Sequence, residues 1–433
     1  MGEESIVKVR GRRVWDSRGR PTIEVEVHLA GGAVGRAIAP AGASTGSGEA
    51  RDLRDGGTAF GGLDVTRAVG AANGEIDKAL QGRNPHNQLQ IDSILTELDG
   101  TLDRSRLGGN AIVATSMAVA HAAAAARGLS FWQSLRAAPG SQLPLPEIQI
   151  FGGGAHAGRR VDIQDFMVIP VGAKEFAEAL NWTAEVYRAA GEIMSETGRL
   201  YGVADEGGYW PAFDSNEQGL EMVVRAIERA GFTPQQEVAI SLDIAASQFG
   251  RGGQYRLARD ERELDSDGLC EVLLGWLARY PIVSIEDPLA EDDGASFAGF
   301  THAVGATVQV VGDDFLVTNA RRIDAAARDG ACNAALIKPN QAGTLSEAEA
   351  ALTAARGAGW GAIVSARSGE SEDTTIVHLA IGWGVPQLKV GSFSRSERMA
   401  KWNEGLRIAE SIGGRLPPRT CFPWGREQKA KAR

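Results

Sequence analysis

Six ionisable residues recur along the second half of the chain, each near the end of a short apolar run: Asp243, Glu286, Asp313, Lys338, Arg367 and Lys389. The runs are 237-EVAISLD-243, 280-YPIVSIED-287, 307-TVQVVGDD-314, 334-AALIKPN-340, 361-GAIVSAR-367 and 386-PQLKVGS-392. Their signs are ordered, three carboxylates and then three cations. Carboxylates that converge repel one another unless a cation lies between them. Oxygen donors with no His or Cys among them suit Mg²⁺ or Mn²⁺, not zinc. A partly desolvated lysine facing such a centre has its pKa lowered and can serve as a base. A metal with a lysine base is an arrangement for taking a proton from carbon beside a carboxylate.

An elimination also needs an acid. The loop 203-VADEGGYWPAF-213 offers Asp205 and Glu206 before paired glycines, which let a carboxyl come close to a ligand. The loop 152-GGGAHAGRR-160 sets His156 among glycines and lacks the GK[ST] of a P-loop. Hydroxyls in 42-GASTG-46 are placed to join a metal or a phosphate. In 362-AIVSARSGESED-373 the apolar run ends in Ala366, Arg367 and Ser368, and an arginine fork suits an oxyanion.

These residues meet only if the runs share one rim. Near-continuous apolarity fits strands covered on both faces, and their alternation with helical stretches predicts a parallel α/β barrel, whose strand C-termini form one face. A doubly wound open sheet is the rival, and it lacks its glycine fingerprint here. The first ~135 residues read differently. Alternation in 22-TIEVEVHLA-30 and 33-AVGRAIAP-40 around a GG turn, then several helices, make an α+β unit. The proline-rich stretch 137–149 reads as a linker, giving an N-terminal domain over 1–138 and a barrel over 139–433.

The chain has 433 residues, 43% hydrophobic and 23% charged, as in ordinary globular proteins. A net charge of −10 argues against nucleic acid as a partner. Three cysteines without CxxC spacing and an N-terminus without a hydrophobic signal region lead to an expectation of a cytoplasmic protein without disulfides. The run 111–126 reads as a buried Ala-rich helix and not a membrane span, and 426–433 as a solvated basic tail.

The chain resembles the enolases along nearly its whole length. The resemblance rests on 15-WDSRGRPTIEVEV-27, 42-GASTG-46, 107-LGGNAI-112, 155-AHAG-158, 205-DEGG-208, 241-SLDIAAS-247, 283-VSIEDP-288, 311-VGDD-314, 338-KPNQAGTLSEA-348, 367-RSGESEDT-374 and 395-RSERMAKWN-403. Metal with a lysine base is that superfamily's general pattern. The resemblance implies an enolase-type α/β fold, an N-terminal α+β capping domain before a (β/α)8-like barrel, in a homodimer or larger homo-oligomer. It implies a small phosphorylated or phosphonylated hydroxy-acid substrate and two Mg²⁺ ions. Asp243, Glu286 and Asp313 then resemble ligands of the tighter ion, and Ser44 resembles the loop serine of a second that arrives with substrate. Lys338 resembles the base, Glu206 the acid that assists loss of the hydroxyl, and Lys389 the lysine beside the substrate carboxylate. Arg367 and Ser368 resemble phosphate contacts, and His156 the loop histidine that closes over the site.

Two positions and one loop depart from the family's pattern. Enolases read SHRSG where this chain reads SARSG, so Ala366 replaces a histidine. They read QEFM where it reads QDFM, so Asp165 replaces a glutamate. The loop before His156 reads IFGGGAHAG in place of VLNGGSHAG. The elimination set is kept while the pocket beside it has lost bulk. That combination resembles the carboxyphosphonoenolpyruvate synthase type, enolase-like enzymes of phosphinothricin-type antibiotic pathways with an enlarged phosphorus group on the substrate. The alternatives are a housekeeping enolase making phosphoenolpyruvate from 2-phosphoglycerate in glycolysis, and a non-catalytic binding protein on an enolase fold. A sugar-acid dehydratase of the wider superfamily is disfavoured, because 161-VDIQDFMVIP-170 has no KxK pair.

Overall fold

The computed structural model describes residues 4–135 and 142–426. The basic tail beyond 426 and residues 137–141 of the expected linker lie outside them.

The chain opens with an antiparallel meander of β1 (Ile6–Trp15), β2 (Pro21–Leu29) and β3 (Val34–Ile38). The helix Gly109–Ala126 lies across β2 and β3. Its alanines permit close approach. Gly35 in β3 packs on the helix backbone at Ala118 and Ala122, and any Cβ there would strike the Ala118 carbonyl oxygen. The helix is long and apolar enough to cross a membrane, yet 72% of it is buried in this core.

His121, on the same helix, stacks on Phe131 with ring centroids 4.0 Å apart, and its Nε2 lies 2.9 Å from Thr375 Oγ1. Burial, reinforced by His378 and only partly opposed by Asp373, pushes its pKa down from 6.5 to about 4. A depressed histidine stabilises the fold above its unfolded pKa, and that contribution is lost as pH falls from about 6.5 through 4. We expect the urea midpoint to drop over this window, and to drop less in His121→Gln; equal slopes in the two proteins would rule out this source.

Beyond residue 142 the strands close into a barrel. In chain order they are β4 (Leu145–Gly152), β5 (Asp165–Ile169) and β6 (Ala239–Asp243), then a small outer sheet of β7 (Gly250–Arg251), β8 (Gln254–Leu257) and β9 (Arg262–Asp265). The ring resumes with β10 (Ile282–Glu286), β11 (Gln309–Gly312), β12 (Ala334–Ile337), β13 (Gly361–Ser365) and β14 (Gln387–Ser392). The order around the ring is β10-β11-β12-β13-β14-β4-β5-β6. Each strand from β10 onward is followed by a covering helix, such as Leu345–Gly357, capped where Thr344 Oγ1 accepts the Glu347 N–H at 3.2 Å.

Two expectations are corrected. The stretch 145–149 is strand, not linker: prolines 144 and 146 disguise an apolar segment that pairs with β14. The barrel is also not wholly parallel. β5 runs against both β4 and β6, and two helices, Phe176–Glu196 and Asn216–Arg229, follow it before β6. Because β5 is reversed, its first residue, Asp165, pairs with Asp243 at the mouth.

The N-terminal unit sits on that mouth. Ala41 and Gly369 exchange two backbone hydrogen bonds of 2.8 Å, and the Ser17 N–H donates to the Glu370 carbonyl at 2.7 Å. This docking carries the 42–49 loop over the strand ends.

Candidate active site

Asp243 ends β6 and Glu286 ends β10, while Asp313 and Lys338 each follow their strands by one residue. Arg367 lies two residues past β13. Lys389 departs from expectation, being the third residue of β14 and not its end. The rim is staggered: Ser365, the last residue of β13, is level with Lys389.

One small cavity is lined by Ser44, His156, Asp165, Glu206, Asp243, Lys338, Ala366, Arg367, Ser368 and Lys389. Glu286 and Asp313 are not among its lining residues but each contacts a lysine that is. Lys389 Nζ donates to Glu286 Oε2 at 2.8 Å and Asp243 Oδ2 at 3.0 Å, and lies 3.6 Å from Asp165 Oδ2. Lys338 Nζ donates to Asp313 Oδ2.

Asp243, Glu286 and Asp313 therefore do not converge on one another directly. Among the described residues, the groups with ligand atoms all within 4.8 Å are His156–Asp165–Glu206 and Asp287–Asp313–Asp314. Asp287 is committed elsewhere: its two oxygens accept the N–H groups of Asp313 at 2.8 Å and Asp314 at 2.7 Å, which shapes the turn after β11.

The charge balance shows whether a cation fits. Glu147, Asp165, Glu206, Asp243, Glu286, Asp287, Asp313 and Asp314 are all buried, against, among the described residues, Lys338, Lys389, Arg367 and His156 as the buried cationic groups in contact with them or facing the same cavity. Glu286 Oε1 is buried with no hydrogen-bond partner. Burial, then repulsion from Asp243 and Asp313, raises the Glu286 pKa well above the carboxylate range despite Lys389. An excess of buried oxygen donors, three of which (on Glu147, Asp165 and Glu286) lack a hydrogen-bond partner, suits a hard divalent cation.

Burial would lower the Lys338 pKa, but Asp313 in direct contact raises it overall. The protein groups alone thus keep Lys338 protonated.

On the opposite wall, His156 Nδ1 lies 3.0 Å from Asp165 Oδ1, and His156 Nε2 lies 3.7 Å from Glu206 Oε1. Burial opposes charge on the ring, but Asp165 and Glu206 outweigh it and hold the imidazole at about 9. Asp165 is in turn held down at about 2: burial opposes this, and contact with His156 and Lys389 overcomes it.

Sequence reasoning missed four supporting residues. Gln164 Nε2 donates to Asp243 Oδ2 at 2.8 Å. Arg18 Nη1 donates to Ser368 Oγ at 3.1 Å. Arg398, wholly buried, donates to the carbonyls of Arg367 at 2.7 Å and Ser368 at 2.6 Å and so fixes that turn. Glu49 bonds Arg367. Arg18 and Arg398 fall inside segments 15–27 and 395–403, each among other charged and polar residues, so no local pattern singles them out.

Comparison with known proteins agrees with this architecture. "Enolase, N-terminal domain" matches residues 6–135, and "Enolase, C-terminal TIM barrel domain" matches 140–417. "Enolase 2" of Pseudomonas syringae pv. syringae (strain B728a) is 45% identical over 95% of this chain and 96% of its own length. "Enolase 2" of Pseudomonas syringae pv. tomato (strain ATCC BAA-871 / DC3000) is 44% identical over the same shares. With both domains matched and the rim chemistry in place, the chain belongs to the enolase family, hydro-lyases that are generally Mg²⁺-dependent and act on a phosphorylated acid.

Proposed function

We propose that this enzyme removes water from a 2-phosphoglycerate-like acid whose phosphorus group is bulkier than a plain phosphate, giving a phosphoenolpyruvate-like product. The observation that carries the reading is the shared cavity: Lys338, Lys389 and Glu206 face it together with Arg367, Ser368 and the small Ala366. Neutral Lys338 takes the proton from the carbon beside the carboxylate. The C–O bond then breaks, and the hydroxyl leaves as water with a proton from Glu206. Lys389 faces the substrate carboxylate, while Arg367 and Ser368 hold the phosphorus oxyanion. His156 bridges Glu206 and Asp165 and fixes the acid's position.

Asp243, Glu286 and Asp313 would hold one Mg²⁺, and Ser44 would help hold a second that enters with substrate. Such ions supply positive charge against the developing dianion and relieve the pull of Asp313 on the Lys338 proton. We place the enzyme in the cytoplasm as a homodimer or larger homo-oligomer, which sedimentation would check.

Ala366 favours the bulkier substrate, because its backbone N–H is tied to the Lys389 carbonyl at 2.8 Å and its side chain ends at a methyl beside Arg367. The likeness to proteins named "Enolase 2" favours 2-phosphoglycerate itself as a second reading, in a housekeeping role. Turnover of both substrates decides between them. Ala366→His combined with Asp165→Glu is expected to shift preference toward 2-phosphoglycerate by about 10- to 100-fold, the range a change of pocket shape commands. Turnover of 2-phosphoglycerate at ordinary enolase rates by the unaltered enzyme would overturn the bulkier-substrate reading.

A further inference from the structure

Arg367 is buried, and its terminal nitrogens are already engaged. Nη1 donates to Glu49 Oε2 at 2.9 Å and Asn340 Oδ1 at 3.2 Å. Nη2 donates to the Ser44 carbonyl at 2.9 Å and Glu49 Oε1 at 3.3 Å. A carboxylate from the 42–49 loop thus grips the guanidinium through both its oxygens, as a substrate oxyanion would. The same carboxylate fastens the loop: Glu49 Oε1 accepts the Gly46 N–H at 3.0 Å and Gln341 Nε2 at 3.2 Å.

The loop lies directly on the cation. A Cβ at Gly42 would run into Arg367 Nη2. In this arrangement the catalytic cavity has a volume of about 20 Å³, room for about one water. A cavity of about 630 Å³ lies against the same loop, lined by Thr45, Gly48, Arg51, Arg54 and Asn340 among others, and gives the loop space to withdraw.

We infer that Glu49 is a built-in occupant of the oxyanion site, which latches the loop over the pocket and must be exchanged for the substrate's phosphorus oxyanion before substrate can seat. Glu49 thereby sets specificity, since only an anion that outcompetes a bidentate carboxylate on Arg367 opens the pocket. This inference rests on Arg367 being the oxyanion site, as proposed above.

Inorganic phosphate tests it by calorimetry on the full-length protein, without turnover. Glu49→Gln is expected to bind phosphate about 10-fold more tightly than the unaltered protein and to lower KM without raising kcat. Glu49→Asp, too short to span both nitrogens, falls between them. Loss of a merely structural contact would weaken binding. Unchanged or weaker phosphate affinity in both Glu49 variants, with melting curves showing them folded, overturns the latch. Arg367→Gln separates the two ideas: if it leaves phosphate affinity unchanged, the oxyanion assignment of Arg367 fails, and the latch with it.

Discussion

Replacing Lys338 by alanine is expected to lower kcat by about 10³-fold, inside the 10²–10⁴ range a positioned base contributes, with a much smaller change in KM. The side chain reaches the cavity floor from just beyond β12, and no other lysine there points from the same strand. Exchange of the substrate's α-proton into D₂O, followed by NMR, isolates its step from the loss of water. Lys338→Ala abolishes that exchange. Glu206→Gln keeps it and loses product, because Glu206 enters only as the hydroxyl departs. If both variants still exchange the proton, Lys338 is not the base. The alanine also leaves Asp313 without its ammonium partner, so the melting temperature is recorded with the rate.

Glu286→Gln is expected to remove the Mg²⁺ response altogether. A ligand held only by the folded state stabilises it by about 2.7 kcal/mol at 100 times its Kd. The melting temperature of the unaltered enzyme therefore rises by several degrees on adding Mg²⁺ and falls back with a chelator. In Glu286→Gln that rise disappears and turnover falls to background. The metal-free variant melts no lower than the unaltered protein, because a carboxylate beside Asp243 and Asp313 with an unpartnered oxygen has been neutralised. A full Mg²⁺-dependent rise in the variant would remove Glu286 from the ligand set.

Much of this site is legible in the sequence because strand ends are. Apolar runs ending in Asp243, Glu286, Asp313 and Lys338 announce both the strand and the direction its last side chain takes. Lys389 sits inside its strand, and only the stagger between β13 and β14 brings it to the rim, which no local pattern records. The reversal of β5 is similarly silent: 165-DFMVI-169 is equally apolar whichever way it runs. Glu49 reads as one more acid in a glycine-rich loop until the N-terminal unit docks and sets it on Arg367, 318 residues away. The contact between Lys338 and Asp313 is silent for a related reason, since it joins the ends of two neighbouring strands 25 residues apart.

The pairing of β4 with β14 has a consequence for how the protein is made. Residue 145 finds its neighbour at 387, so the ring cannot close until some 240 further residues have been made. Contacts so distant along the chain slow folding and leave intermediates exposed. Arg367 and Lys389 also emerge late, after Asp165, Asp243 and Glu286 have long been waiting. A ribosome-bound chain that stops short of β14 carries an open strand edge beside a crowd of uncompensated acids. The last strand therefore supplies both the missing edge and the missing charge in a single late step.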